Sequence, residues 1–181
     1  MEFFDKISGF FASGGFIPVL ICVILVVIVC VSSAKYKQVK ELAQKFNAGA
    51  TDDETVALCQ KVKQRNRKPK SAEMHDLCCC MLSAMHMERG EETLFFENMN
   101  AIKALTGKVA WRVNLLLVAY LTEQKYLDMS IAYKEEKKED QTVQEWIFEQ
   151  DLSYEAERLE ALKANITRPK ILDILNYLTE D

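Results

Sequence analysis

An uncharged run over residues 16–34 constrains this chain more than any other feature of its sequence. The run consists mainly of Val, Ile and Leu, and as a helix it would span roughly 28 Å, close to the hydrocarbon thickness of a bilayer. Pro18 falls in the first turn, where its missing N–H costs little. The run therefore predicts a transmembrane helix, and we expect a single-pass membrane protein.

The charges that flank this run predict its orientation. Lys6 is the only basic residue before it, whereas three lysines follow within six residues. Basic residues favour the cytosolic side, so we expect the C-terminal domain in the cytosol, at the plasma membrane. A cleavable signal peptide is the alternative, but the segment before the run is net acidic and lacks the basic region that such peptides carry.

The rest of the chain is typical of an all-α domain. The full chain has only six Gly and three Pro and is rich in good helix formers, and about 145 residues after the run are enough to bury a core. The predicted organisation has four parts: a short amphipathic segment at 1–15, the transmembrane helix at 16–34, juxtamembrane helices with a basic loop at 35–70, and a helical-hairpin domain at 71–181.

Apolar spacing and capping signals predict the individual helices. Thr51 with Glu54 fits a capping box that opens a helix, and Gly90 fits a helix stop. The predicted helices cover residues 35–46, 51–63, 71–89, 91–105, 108–124, 125–138, 142–164 and a last short helix that begins at 168.

A spacing of 34 residues recurs within this helical region. Leu82, His86, Gly90 and Met99 precede Leu116, Tyr120, Gln124 and Tyr133 by that distance. The pattern resembles the tetratricopeptide repeat over residues 76–140. The resemblance implies antiparallel helical hairpins stacked like an α-solenoid, with a groove for a peptide or a partner helix. We expect four aromatic residues to be candidates for lining this groove: Trp111, Tyr120, Tyr126 and Tyr133.

The sequence offers no candidate for catalysis, a metal ion or a cofactor. His75 and His86 lie eleven residues apart, about 16 Å along one helix, and cannot share an ion. Cys78, Cys79 and Cys80 would point about 100° apart, which favours a buried helix face over a metal site and leaves palmitoylation or redox sensitivity open. We therefore expect a protein that is not an enzyme.

Charge limits the classes of partner. The net charge of −4 argues against general nucleic-acid binding, which needs a basic surface. One stretch is nevertheless strongly basic, and it could contact lipid headgroups, receive an acidic protein segment, or simply keep an exposed loop soluble. Its basic residues are Lys61, Lys63, Arg65, Arg67, Lys68 and Lys70.

Together these features predict a membrane-anchored adaptor, a helical protein-interaction module that holds a protein partner in the cytosol. The alternative is an accessory structural subunit of a membrane protein complex, in which the hydrophobic helix makes specific contacts. The sequence indicates neither the partner nor an oligomeric state.

Overall fold

The computed structural model describes residues 16–150 and 152–180. These residues form α-helices and one short 3₁₀ turn, with no strand among them, which confirms the predicted all-α class. In chain order the helices are α1 (Phe16–Asn47), α2 (Asp53–Arg65), α3 (Ala72–Glu88), α4 (Glu92–Asn100), α5 (Gly107–Thr122), α6 (Tyr126–Glu136), α7 (Val143–Phe148), α8 (Ala156–Asn165) and α9 (Pro169–Thr179). The amphipathic segment predicted at 1–15 lies outside the described residues.

The chain divides into two compact units, residues 1–41 and 42–181. In the first unit, α1 contains the apolar run, and its large side chains from Ile21 to Val27 are between 48% and 61% exposed where they are described. The helix continues without a break through Lys35, Lys37 and Lys40. The predicted boundary at residue 34 is therefore not an element boundary in the structure.

The predicted transmembrane helix at 16–34 is not supported. Across residues 16–150 and 152–180, no helix combines the length and the apolar character that crossing a bilayer requires. The apolar run forms one part of a longer helix that also carries charged side chains. The predictions of a single-pass membrane protein and of a plasma-membrane location are accordingly wrong.

The core of the second unit is built around α3 and α5. Helix α3 packs against α2, α4 and α5, and α5 also packs against α6, α7, α8 and α9. The sequence Leu115-Leu-Leu-Val-Ala-Tyr-Leu121 is apolar on every side of the helix, and each of these residues is at most 3% exposed. A helix that is apolar all round needs neighbours all round, so its sequence explains why α5 is central.

Helix ends follow local chemistry and differ from the sequence prediction at several places, among them the end of α4, which lies at Asn100 rather than near residue 105. Asp52, rather than Thr51, caps α2, because its carboxylate accepts the Thr55 backbone N–H at 2.9 Å. The helix predicted over 142–164 is two helices, since α7 ends at Phe148 and α8 begins at Ala156. The predicted stop at Gly90 is confirmed, because this residue has the left-handed φ of 69° that glycine adopts without strain.

Candidate functional site

Two of the four predicted groove aromatics meet at the surface. Trp111 on α5 and Tyr133 on α6 are both half-buried, with ring centroids 5.7 Å apart. Tyr133 also meets Trp146 on α7 edge to face at 5.5 Å, and Trp146 is buried. The three helices therefore present a continuous row of aromatic rings, of which Trp111 and Tyr133 form the accessible part.

The other two predicted groove aromatics belong to the core. Tyr120 is 3% exposed, stacks on Phe95 at 5.1 Å and donates its hydroxyl hydrogen to Glu92 at 2.8 Å. Tyr126 is 2% exposed and packs against Phe46. The structure thus brings together Trp111 and Tyr133 and buries Tyr120 and Tyr126 among other rings.

Cationic side chains gather over the exposed rings. The Arg112 guanidinium carbon lies 4.2 Å from the Trp111 ring centroid, and the Lys134 Nζ lies 5.8 Å from the same ring. The Lys137 Nζ lies 6.0 Å from the Tyr133 ring. These cation–π contacts are worth about 0.5–1 kcal/mol each at an exposed site. We call these five residues, Trp111, Arg112, Tyr133, Lys134 and Lys137, the basic aromatic surface.

The predicted basic stretch does not act as a unit. Lys63 turns toward the interior, where its ammonium group donates to the Asn98 side-chain oxygen at 2.6 Å. The remaining basic residues of the stretch are exposed at the end of α2 and in the connection to α3: Lys61, Arg65, Arg67, Lys68 and Lys70. Lys63 therefore belongs to a different environment, next to α3.

That environment contains a buried polar cluster on α3. The imidazole Nδ1 of His75 lies 2.8 Å from the Asp76 Oδ1 and 3.8 Å from the Cys79 sulfur. The second carboxyl oxygen of Asp76 accepts the Ala104 backbone N–H at 2.9 Å. His75 is 5% exposed, and the other two residues are fully buried. We call His75, Asp76 and Cys79 the α3 cluster.

The α3 cluster does not have the geometry of a nucleophilic catalytic triad. In such a triad the acid and the nucleophile bind different ring nitrogens of the histidine, whereas Asp76 and Cys79 both face Nδ1. Burial also raises the pKa of the Cys79 thiol to about 12, although the nearby Lys63 ammonium opposes this shift. A thiol with that pKa is protonated at neutral pH and is a poor nucleophile.

The neighbouring thiols are buried as well. Cys59 on α2 donates to the Cys78 carbonyl oxygen at 3.5 Å, and a hydrogen bond with Cys78 together with burial raises the pKa of Cys59. Cys78 and Cys80 are at most 1% exposed. The three adjacent cysteines therefore lie within the core, as the sequence predicted.

His86 is separate from the α3 cluster. It is 2% exposed, and its Nδ1 lies 2.5 Å from the Glu91 carboxylate just before α4. This hydrogen bond, with help from Arg89, lowers the pKa of Glu91. His86 thus ties the end of α3 to the turn that precedes α4.

Sequence reasoning missed the α3 cluster because it considered the two histidines and the three adjacent cysteines separately. The usable signal was the spacing His75-x-x-x-Cys79, since side chains four residues apart lie on one helix face. No sequence spacing of this kind indicated that Asp76 belongs to the cluster. The position of Asp76 depends on Ala104, which lies 28 residues further along the chain.

No protein-family model, no curated protein and no solved structure matches this chain. The predicted likeness to the tetratricopeptide repeat is therefore wrong. A physical reason is visible at Leu117 and Met129, which are large and buried where that repeat uses small residues to let two helices approach. The 34-residue spacing also pairs residues with different roles, because His86 binds a turn carboxylate whereas Tyr120 stacks on Phe95.

Proposed function

We propose that this chain is a helical protein-interaction module whose basic aromatic surface receives an acidic segment of a partner protein. The observation that carries the proposal is the half-buried pair Trp111 and Tyr133 with Arg112, Lys134 and Lys137 placed over their rings. Aromatic residues and arginine are the residue types enriched where binding energy is concentrated in protein interfaces.

The charge arrangement favours an acidic partner. Lys134 in the last turn of α6 and Lys137 just after its end both approach the rings, since the Lys134 Nζ lies over Trp111 and the Lys137 Nζ lies over Tyr133. Glu135 lies about 200° around the helix from Tyr133 in an ideal helix, away from the rings, whereas Glu136 follows Tyr133 by three residues and shares its side, where the three cations outnumber it. At this surface the cationic side chains lie over the aromatic rings. A partner segment in which carboxylates alternate with apolar side chains can contact both the cations and the rings.

The scaffold supports recognition by a largely preformed surface. Trp111 lies on α5 between the buried residues Val109 and Val113, and Tyr133 rests against Trp146, which is itself buried. The rings therefore lose little conformational freedom when a partner binds. Binding energy at this surface is then available for affinity rather than for ordering the rings.

The first experiment uses intrinsic fluorescence, because the chain contains only two tryptophans. In a Trp146→Phe variant of the full chain, the emission reports on Trp111 alone. We expect poly-L-glutamate to change this emission saturably, poly-L-lysine to leave it unchanged, and added salt to weaken the interaction because the charges are exposed.

Charge-reversal variants test whether poly-L-glutamate binds at the basic aromatic surface. Arg112→Glu with Lys134→Glu should lower the affinity for poly-L-glutamate at least about tenfold, since like charges across an interface repel. The matched control is Lys68→Glu with Lys70→Glu, which makes the same change in charge on the exposed basic stretch. A larger loss in the control pair would move the binding site to that stretch and overturn the proposal.

A second polyanion separates the classes of partner. Single-stranded DNA also binds basic surfaces that carry aromatic rings. The acidic-protein proposal requires poly-L-glutamate to bind more tightly than an oligonucleotide of similar charge. Tighter binding of the oligonucleotide, or no saturable change with either polymer, would contradict the proposal.

A further inference from the structure

We propose that the α3 cluster is a binding site for a divalent transition-metal ion of the Zn²⁺ type, with His75 Nδ1, an Asp76 carboxylate oxygen and the Cys79 sulfur as ligands. The three ligand atoms lie within 4.8 Å of one another. Tetrahedral Zn²⁺ with bonds of about 2.0–2.3 Å needs ligand atoms roughly 3.3–3.8 Å apart. The 2.8 Å and 3.8 Å separations from His75 Nδ1 bracket this range, so small side-chain rotations suffice.

The donor types indicate the class of ion. Imidazole nitrogen, thiolate sulfur and carboxylate oxygen are the three ligands that Zn²⁺ takes in proteins. Ca²⁺ and Mg²⁺ bind oxygen ligands, so a site with nitrogen and sulfur donors does not suit them. The thiolate of Cys79 and the carboxylate of Asp76 would balance the charge of a divalent ion. Co²⁺ binds similar sites and reports its geometry optically.

Local structure holds the ligands in place. His75 and Cys79 lie four residues apart on α3, which puts them on one face, one turn apart. Asp76 is oriented by the backbone N–H of Ala104, a contact of the kind that fixes metal ligands from behind. All three residues are at most 5% exposed, so the protein covers the three ligands, and a water molecule would supply the fourth position of the tetrahedron.

Binding requires a defined movement of protons. The Cys79 thiol loses its proton to solvent as the metal–sulfur bond forms. For Nδ1 to bind the ion, neutral His75 gives up to solvent the Nδ1 proton that it donates to Asp76 and takes up a proton on Nε2, and the ion then replaces this hydrogen bond. The Lys63 ammonium lies near the Cys79 sulfur and is held by Asn98 at 2.6 Å, so its charge opposes a bound cation.

The test is a titration of the metal-free, reduced full chain with Co²⁺, followed by competition with Zn²⁺. We expect one equivalent to produce the visible bands of tetrahedral Co²⁺ and a thiolate-to-metal charge-transfer band in the near ultraviolet. Zn²⁺ should abolish both. Absence of these bands in the wild-type chain overturns the proposal, whatever the variants do.

Four variants assign the ligands. Cys79→Ser should remove the charge-transfer band. His75→Gln and Asp76→Asn should each lower the affinity more than about 100-fold, because loss of a ligand costs more than loss of a supporting contact. Asp76→Asn keeps an oxygen to accept the Ala104 N–H, so the fold is preserved. The matched control is Cys80→Ala, an adjacent buried thiol outside the cluster, which should leave the spectrum and the affinity unchanged.

A variant that should tighten metal binding, rather than weaken it, completes the test. Lys63→Met removes the positive charge beside Cys79 but keeps an unbranched side chain, and it should tighten Co²⁺ binding by about tenfold. Equal loss of binding in the Cys79→Ser and Cys80→Ala variants would contradict the assignment. Weaker binding in Lys63→Met would contradict the electrostatic part of the argument.

Discussion

Asp76 and Arg112 are ionisable side chains on the two central helices of the second unit, but their surroundings differ. Asp76 is fully buried, and its two oxygens are bonded to His75 and to the backbone of Ala104. Arg112 is half-buried and lies over the ring of Trp111, with one N–H donated to the Lys108 carbonyl of its own helix.

The comparison shows that polar side chains have different roles in the two regions. In the α3 cluster, Asp76 joins His75 of the same helix to the backbone N–H of Ala104, 28 residues along the chain, so Asp76 helps to hold the tertiary structure. On the basic aromatic surface, the partners of Arg112 are local, and the rings remain accessible. Changes in the α3 cluster should therefore appear as lost stability, whereas changes on the basic aromatic surface should appear mainly as lost binding.

The largest expected effect comes from Asp76→Ala, measured by urea unfolding in the presence of a chelator. The substitution leaves the Ala104 N–H and the His75 Nδ1 without their buried partner, and it should cost about 3 kcal/mol of unfolding free energy. Asp76→Asn should cost less, because its amide oxygen can still accept the Ala104 N–H.

Arg112→Ala is the matched surface change. It removes a cation–π contact and no buried partner, so it should cost no more than about 1 kcal/mol. Equal costs for Asp76→Ala and Arg112→Ala would break the comparison, because they would show that the polar contacts of α3 contribute no more than a surface contact.

The contrast also explains what could be predicted from the sequence. The all-α class and the stop at Gly90 follow from composition and local spacing, which act over a few residues. The sequence could not separate the buried from the accessible residues among the four predicted groove aromatics. Tyr120 and Trp111, for example, lie on the same helix and differ only in which neighbours cover them. Phe95, which stacks on Tyr120, lies 25 residues away, beyond the reach of periodicity.

The break between α7 and α8 was missed for a related reason. Residues 142–164 have a helical apolar pattern throughout, but a helix forms where its apolar face has something to pack against. Ile147 on α7 and Leu162 on α8 are both fully buried, and both helices pack against α5. Interrupting the helix allows each piece to meet α5 separately, and that depends on tertiary structure.

The second prediction concerns alkaline pH and compares Tyr120 with an ordinary tyrosine. Burial and the hydrogen bond to Glu92 raise the pKa of Tyr120 to about 12, from an ordinary value of about 10. The folded state therefore favours the protonated phenol. Its contribution to stability is complete below about pH 10 and is lost as the pH rises toward 12, with a slope of up to about 1.4 kcal/mol per pH unit.

Unfolding by urea at several alkaline pH values measures this slope. Tyr120→Phe keeps the stacking on Phe95 and removes the titrating hydroxyl, so it should lower the slope, while Tyr126 and the buried thiols, whose pKa values burial also raises, keep the remainder. Trp111→Phe alters an aromatic side chain on the basic aromatic surface that does not titrate, and it should leave the slope unchanged. If Tyr120→Phe and the wild type gave the same slope, the alkaline instability would originate elsewhere in the core.

Apart from the Arg112→Ala comparison, the smallest expected effect is at Thr142, the N-cap of α7, whose Trp146 packs against Tyr133 of the basic aromatic surface. The Thr142 hydroxyl accepts the Glu145 backbone N–H at 3.2 Å, and the Glu145 carboxylate accepts the Thr142 backbone N–H at 2.7 Å. This reciprocal cap stabilises α7, which has only six residues and carries Trp146. Thr142→Ala should cost about 1 kcal/mol of unfolding free energy, and Thr142→Ser should cost much less.

The pH dependence of this difference identifies the cap as its cause. The hydrogen bond from the Thr142 backbone lowers the pKa of Glu145, so the contribution of its carboxylate is present above the ordinary glutamate pKa of about 4.3 and is lost as the pH falls below it. The penalty of Thr142→Ala should shrink over the same range, because the substitution removes a cap that acid has already weakened. Since Trp146 supports Tyr133 at 5.5 Å, the variant should also weaken poly-L-glutamate binding, but by less than the charge reversal at Arg112 and Lys134. If Thr142→Ser were as costly as Thr142→Ala, packing of the threonine methyl group rather than the cap would hold α7, and the basic aromatic surface would depend on apolar contacts alone.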